Sequence, residues 1–306
     1  MTTSRTIRIG TRDSALALYQ AKAVQASLRQ IKIKTEIIEI TSDGDVDLVT
    51  PLYEMDIRGI FTKALDAALL ENKIDLAVHS TKDVPTKPAR GLIVSGVLER
   101  ATPFDCLVLP MGNLVFDFEK PAIIATSSLR RKLQWLNRYP HHSTENLRGN
   151  IQTRLNKLDS GPWQGAIFAQ AALERLQLTS HHFVSLDWML PSPAQGAIGM
   201  ICRDDDTFVW DACRAINHHE TEMCITMERD FLSALHGGCA VPIAAHAAVN
   251  DNHIFFRGNV MTLNAKSKCE VALTFDKAEW HRAGQLAAKK ILSQGAKAII
   301  KTFRQS

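Results

Sequence analysis

Strand and helix signals alternate through the first hundred residues and begin again after Pro103, so this chain has to build layered α/β structure twice. Ile7-Arg8-Ile9 reads as a short strand. Ser14 then caps a helix whose Ala17, Ala21, Val24 and Leu28 fall on one face. Lys34 to Ile40 is β-branched and alternating, hence a strand; Phe61, Leu65, Ala68 and Leu69 mark another amphipathic helix, and Ile74 to Val78 the next strand. That order predicts a mainly parallel sheet with helices packed on it. In the second block, Ala122 to Ala125 runs as a strand into Thr126-Ser127-Ser128, which starts a helix over Leu129 to Leu136. Gly165 to Ala169 is a further strand, followed by a helix over Ala171 to Leu176. Pro191-Ser192-Pro193 closes the block, and Gly196 to Cys202 reads as a strand returning elsewhere. Two such blocks joined by a crossover imply a cleft between them, where ligands sit.

From about residue 221 the pattern changes. Thr221 to Leu235 is helical, Gly237-Gly238 breaks it, and strands follow at Ile243–Val249, Ile254–Met261 and Cys269–Phe275. With a last helix over Ala278 to Ser293, this predicts a small α+β domain with an antiparallel sheet. A length of 306 residues agrees with two or three domains.

Charge and cysteine content narrow the function. The net charge of +4 does not demand nucleic acid, and the tryptophans and tyrosines are scattered rather than interleaved with basic residues. The stretch Met1 to Gly10 lacks the apolar core of a secretory signal, and no apolar run has the roughly 18 residues of a membrane helix. Cysteines at 106, 202, 213, 224, 239 and 269 include no Cys-x-x-Cys pair and read as reduced thiols of a cytoplasmic protein.

Four stretches carry chemistry: His79 to Pro85, Thr126 to Arg131, Leu147 to Arg154, and Gly237-Gly238-Cys239. Arg130 and Arg131 fall in the first turn of a helix that follows a strand, where free N–H groups and the helix dipole favour an anion. Thr126 and Ser128 add hydroxyl donors, and Arg148 and Arg154 form a second cluster. Guanidinium forks grip carboxylates with two parallel hydrogen bonds, so the set suits a ligand carrying several carboxylates. Lys82-Asp83 follows a strand end, where α/β proteins place their sites, and Asp83 is suited to stabilising a developing cation. Cys239 follows a glycine hinge, with Arg229 and His236 placed to lower its pKa. The histidine pairs at 141/142, 181/182 and 218/219 lack metal-ligand spacing and are assigned to surface or core; Asp204-Asp205-Asp206 reads as a solvated loop.

In this order the motifs resemble those of the hydroxymethylbilane synthase (porphobilinogen deaminase) family. The resemblance spans nearly the whole chain, from Ile9-Gly10-Thr11-Arg12-Asp13-Ser14 through Gly59-Ile60-Phe61-Thr62-Lys63 and Ala194-Gln195-Gly196-Ala197 to Asn217-His218-His219-Glu220. It implies two α/β domains like those of periplasmic binding proteins plus a smaller α+β C-terminal domain. The expected boundaries are 1–99 with 198–217, 100–197, and 218–306. Cys239 matches the residue that holds a dipyrromethane cofactor by a thioether, and Asp83 the catalytic aspartate. Arg12, Ser14, Lys82, Thr126, Ser128, Arg130, Arg131, Arg148, Arg154 and Arg175 match residues lining the cofactor and substrate cleft; Phe61 and Gln195 sit in matching cleft motifs. The implied reaction joins four porphobilinogen units head to tail with loss of ammonia, and passes the linear tetrapyrrole to uroporphyrinogen-III synthase. A cytoplasmic monomer is implied, with neither a metal, a nucleic acid nor a membrane as partner.

The chain departs from the family pattern at Asp56-Ile57-Arg58, Ala64, Phe104, Ala125, Gly165, Ala194 and Ile201. None of these replaces the cysteine, the aspartate or the arginines, so altered rate or stability is expected rather than lost function. The alternatives are a non-catalytic relative binding a polyanionic small molecule, a solute-binding protein, and a nucleic-acid binder.

Overall fold

The computed structural model describes residues 5–41, 62–235 and 241–303. Phe61, Cys239 and the Asp56-Ile57-Arg58 departure lie outside them. Along the chain come β1 (Ile7–Thr11), α1 (Ala15–Gln30), β2 (Thr35–Glu39), α2 (Lys63–Leu70), β3 (Leu76–Ser80), β4 (Leu92–Val97), β5 (Asp105–Val108) and β6 (Ile123–Ala125). There follow α3 (Leu129–Arg138), β7 (Ser143–Glu145), α4 (Ile151–Ser160), β8 (Gly165–Ala169), α5 (Gln170–Arg175), β9 (Phe183–Leu186), β10 (Ile198–Arg203) and α6 (Thr207–Ala215). Then come α7 (His219–Ala234), β11 (Ile243–Asn250), β12 (His253–Met261), β13 (Lys268–Asp276), α8 (Trp280–Ile291) and α9 (Lys297–Thr302).

Contacts divide the described residues into two compact units: 5–41, 62–101 and 196–222 in the first, and 102–195, 223–235 and 241–303 in the second. The first is built on a five-stranded sheet in the order β2-β1-β3-β10-β4. Ser14 caps α1 by accepting a hydrogen bond from Ala17 N, and Ala21, Val24 and Leu28 are buried as their spacing requires. β3 reads Leu-Ala-Val-His without alternation because it is central, bonded to β1 on one side and β10 on the other.

The second unit holds a matching sheet, β7-β6-β8-β5-β9, and a three-stranded antiparallel sheet, β11-β12-β13. The small sheet has its own core, where Met227 and Phe231 of α7 and Ile291 of α8 pack on Ile243, Ile254, Phe256 and Val260. The last helical stretch breaks at Gly295, whose φ of 103° lies in the left-handed region that glycine enters at no steric cost.

The sheets are mixed, which corrects the mainly parallel arrangement expected. β1 pairs in parallel with β2 and β3, and β6 with β7 and β8, whereas β10 and β5 run antiparallel to both their neighbours. Neither β5 nor β10 is reached by a right-handed strand–helix–strand crossover within its own sheet, so neither is bound to follow the parallel direction.

Asp75 anchors the first unit. Only 1% exposed, its carboxylate accepts from Arg8 N, Nε and Nη2, from Arg5 Nη2 at 2.6 Å and from Arg203 Nη2 at 3.1 Å. Burial alone would raise its pKa, but the hydrogen bonds from Arg8, Arg5 and Arg203 outweigh it and hold the carboxyl well below the usual range. A depressed carboxylate pKa contributes stability that is complete above an unfolded value of about 4 and is lost on acidification below it. Asp75→Asn is therefore expected to cost about 3 kcal/mol at neutral pH, with the gap from wild type closing as pH falls below about 4. Urea denaturation across that range checks it; a gap independent of pH would contradict the assignment.

Candidate active site

In each five-stranded sheet the site residues stand at the carboxyl ends of the parallel strands, where the chain turns and leaves backbone and side chains unshared with the sheet. In the first unit, Arg12 and Ser14 follow β1, while Lys82 and Asp83 lie in the single 3₁₀ turn Thr81–Asp83 after β3. α1 is tied to the end of β3, where Gln20 Nε2 donates to Ser80 Oγ at 2.7 Å. Thr81 is pinned to β10, its N and Oγ1 donating to Ala197 O at 3.1 and 3.2 Å. Asp83 itself is exposed and Lys82 half-buried. An exposed carboxylate on a turn anchored at Thr81 is accessible to a ligand from solvent.

His79 lies directly beneath this turn, 5% exposed, with no partner for Nε2 among the described residues. Burial, reinforced by the positive charge of Arg12, pushes its pKa down to about 4. The imidazole is therefore neutral at physiological pH.

In the second unit two arginine stretches are brought together. Ser127 Oγ donates to Leu147 O and accepts from Leu147 N, both at 2.9 Å, joining the start of α3 to the loop before α4. Ser128 caps α3, and Asn150 caps α4 through Thr153 N. Gly149, at a φ of 119°, forms the turn between Arg148 and α4, and Arg154 Nε donates to its carbonyl at 2.6 Å. Arg148 and Arg154 are half-buried. Arg175 ends α5 on the same sheet, also half-buried.

Arg130 and Arg131 are 8% and 7% exposed, not solvated side chains on a helix surface. Both meet Asp105, a residue that sequence reasoning missed. Arg130 Nη1 donates to its Oδ2 at 2.8 Å, and Arg131 Nε and Nη2 to its Oδ1 at 3.1 and 2.8 Å. Gln195 Nε2 donates to the same Oδ1 at 2.8 Å and to Pro103 O at 2.7 Å. Burial would raise the pKa of Asp105, yet the charges of Arg130 and Arg131 overcome it and hold the carboxyl well below the usual range. The only sequence signal for this residue was an acid opening an otherwise apolar strand, Asp105-Cys106-Leu107-Val108.

The segment Leu190 to Gln195 touches everything around this cluster. Arg130 Nη1 donates to Leu190 O at 2.8 Å, and Ala245 N of β11 to Pro191 O at 3.2 Å. Ala194 N donates to Glu228 Oε2 at 2.6 Å, while Ala247 N donates to Glu228 Oε1 at 2.7 Å. Ala194 adopts a φ of 63°, a left-handed conformation that a residue with a Cβ enters only at a steric cost. Thus α7 and β11, which flank Cys239 in the sequence, are both hydrogen-bonded to the strip that packs against the arginine cluster. At the Phe104 departure, the ring lies 5.4 Å from that of His246 on β11, an aromatic contact between the same two parts.

The other cysteines are poor candidates for thiol chemistry. Cys106, Cys202, Cys213 and Cys224 are buried and Cys269 half-buried; burial pushes the Cys106 and Cys213 thiols up to about 12. Among the histidine pairs, His142 and His181 are buried and His141, His182 and His219 exposed. No group of three or more His, Cys, Asp or Glu among the described residues is placed to hold a metal ion. No helix among them is long and apolar enough to cross a membrane.

Comparison with known proteins places this geometry in context. The family model "Porphobilinogen deaminase, dipyromethane cofactor binding domain" matches residues 7–211, and "Porphobilinogen deaminase, C-terminal domain" matches residues 222–293. A porphobilinogen deaminase of Syntrophotalea carbinolica is 37% identical over 301 residues, covering 97% of this chain and 96% of that one. Among solved structures, an ancestral cationic amino acid solute binding protein is 14% identical, covering 69% of this chain and 87% of its own, with a TM-score of 0.44. A putative periplasmic sulfonate-binding protein of Methylobacillus flagellatus is 15% identical, covering 76% and 68%, with a TM-score of 0.39.

The environment of His79 sets an acid limit on the first unit. A neutral buried histidine contributes stability that is complete above its unfolded pKa of about 6.5 and is lost as pH falls through the depressed folded value. The fall to about 4 corresponds to roughly 3 kcal/mol. Denaturation of wild type and His79→Gln between pH 7 and 4 is expected to show this loss in the wild type alone; parallel profiles would contradict it.

Proposed function

The chain belongs to the porphobilinogen deaminase family, and from that premise we propose how it acts as a hydroxymethylbilane synthase, condensing four porphobilinogen molecules into linear hydroxymethylbilane with loss of ammonia. The enzyme is a transferase of tetrapyrrole and haem biosynthesis. The observation that carries the reading is the match of both family models, in order, to a chain that retains Asp83, Cys239 and the arginine stretches.

The cofactor of this family is dipyrromethane, and the residues present fit it. Each pyrrole ring of a porphobilinogen-derived chain carries an acetate and a propionate, so the ligand is strongly anionic. The second unit supplies Arg130 and Arg131 against the single carboxylate of Asp105, one positive charge in excess, beside the hydroxyls of Thr126 and Ser128. We assign the thioether attachment to Cys239, between α7 and β11. When bound, the dipyrromethane supplies the nucleophilic ring carbon from which the chain grows.

The protein's own residues bind, orient and neutralise. Arg130, Arg131, Arg148, Arg154 and Arg175 serve as cationic anchors for carboxylates, with Gln195 fixing Asp105 beneath them. Arg12, Ser14 and Lys82 do the same at the ends of β1 and β3, and Phe61 belongs to a sequence motif that matches the family's cleft. Asp83 accepts hydrogen bonds from pyrrole N–H groups and stabilises the positive charge that develops on porphobilinogen as ammonia departs. We also assign the three-domain division given above, supported by the separate core of the C-terminal sheet. A cytoplasmic monomer handing its product to uroporphyrinogen-III synthase completes the proposal.

Intact mass after expression in a haem-making host tests this reading. The expected result is a chain heavier than its sequence by one dipyrromethane, with the addition absent from Cys239→Ser; an unmodified wild-type mass would contradict it. In Asp83→Asn the addition is expected to persist while turnover falls by about 10²-fold or more. Near-normal porphobilinogen consumption by that variant would remove Asp83 from the mechanism.

A further inference from the structure

We propose that Asp105 is a positioning residue for the ligand-binding arginines, bracing Arg131 and turning Arg130 so that its remaining N–H edge meets an anionic group of the ligand. The proposal rests on the function assigned above and deepens it at one site. Asp105 is fully buried as the first residue of β5, a strand hydrogen-bonded on both sides, so its carboxylate is carried on a rigid element.

The hydrogen bonds around it are unequal. Arg131 turns its Nε–Nη2 edge, the one suited to a two-point grip, onto Oδ1 of Asp105, and its Nη1 donates to Ile167 O at 2.9 Å. All three nitrogens of Arg131 are thus engaged with the protein. Arg130 enters the cluster with Nη1 alone, shared between Asp105 Oδ2 and Leu190 O. No described residue accepts a hydrogen bond from its Nε or Nη2. One carboxylate has therefore divided two adjacent arginines into a braced member and a presenting member.

Gln195 secures the arrangement from the other side. It donates to Oδ1, the oxygen that Arg131 also grips, through the same amide nitrogen that binds Pro103 O, so this edge of the carboxylate is held by two side chains. Two guanidiniums against one carboxylate leave an excess positive charge in a nearly water-free position, and a ligand carboxylate supplies the balance. An asparagine at 105 keeps the shape but loses the charge and one acceptor, freeing both forks to rotate.

Full-length Asp105→Asn, Asp105→Glu and Gln195→Ala, expressed beside wild type in a haem-making host, test this by intact mass, melting temperature and steady-state kinetics. Asp105→Asn is expected to carry the dipyrromethane addition in a fraction reduced about tenfold, and its loaded molecules to show a KM for porphobilinogen raised about tenfold with kcat little changed. Asp105→Glu, which restores the charge, is expected to recover most of the loading. If Asp105→Asn does not fold, Gln195→Ala decides: a raised KM supports the proposal and an unchanged KM overturns it. Full loading and an unaltered KM in Asp105→Asn would also overturn it, as would losses in Asn and Glu variants that follow only the fall in melting temperature. An unmodified wild-type chain would instead overturn the functional reading itself, so the two failures are distinguishable.

Discussion

Two buried guanidiniums share one buried carboxylate, and the second unit is arranged around keeping that uneven group satisfied. Removing an ion from water costs several kcal/mol unless partners are fixed in place, so each nitrogen and oxygen of such a group constrains its surroundings. Here the partners come from far along the chain: Arg130 lies 25 residues from Asp105, and Gln195 lies 90 residues from it. Leu190 O and Ile167 O complete the set. The loop from Leu190 to Gln195 therefore cannot shift without uncovering a charge, and the C-terminal sheet is bonded to that loop through Ala245 and Glu228.

The same logic explains why both sheets are mixed. β1 and β3, like β6 and β8, run parallel and end on one edge, where the turns carrying the site residues begin. β10 and β5 run the opposite way and fill the sheets from the far side. β10 pins Thr81 through Ala197, and β5 supplies Asp105 beneath the arginines. The antiparallel strands thus act as supports for turns carried by the parallel ones.

Much of this was legible in the sequence where a pattern was long and local. The capped helix α1, the strand Gly165–Ala169 and the three C-terminal strands fall within a residue or two of their expected places. Elements without a local signal were not. β7 is only three residues, Ser-Thr-Glu, and β4 is interrupted by Ser95 and Gly96. α6 carries β-branched and aromatic residues of weak helix propensity and forms because Val209, Ala212 and Cys213 are buried against the sheet. Strand direction escaped for another reason: the local pattern shows that β10 is a strand and not from which side it enters. At the site, Arg130 and Arg131 were read as an equivalent pair, because the division between them is made by Asp105, a residue that only the folded chain brings near. Gln195 stood out through its motif, but its bond to Asp105 did not.

The second unit holds arginines braced by Asp105, and the first carries an exposed carboxylate, Asp83, on a turn anchored at Thr81. Such a combination suits repeated addition of an acidic building block, since each new ring presents the same carboxylates and passes through the same cationic state. The most direct test is incubation of the purified wild-type protein with porphobilinogen, following ammonia release and the appearance of hydroxymethylbilane. Four ammonia molecules released for each linear tetrapyrrole formed is the result this account requires. Binding of porphobilinogen with neither ammonia nor tetrapyrrole produced would contradict it.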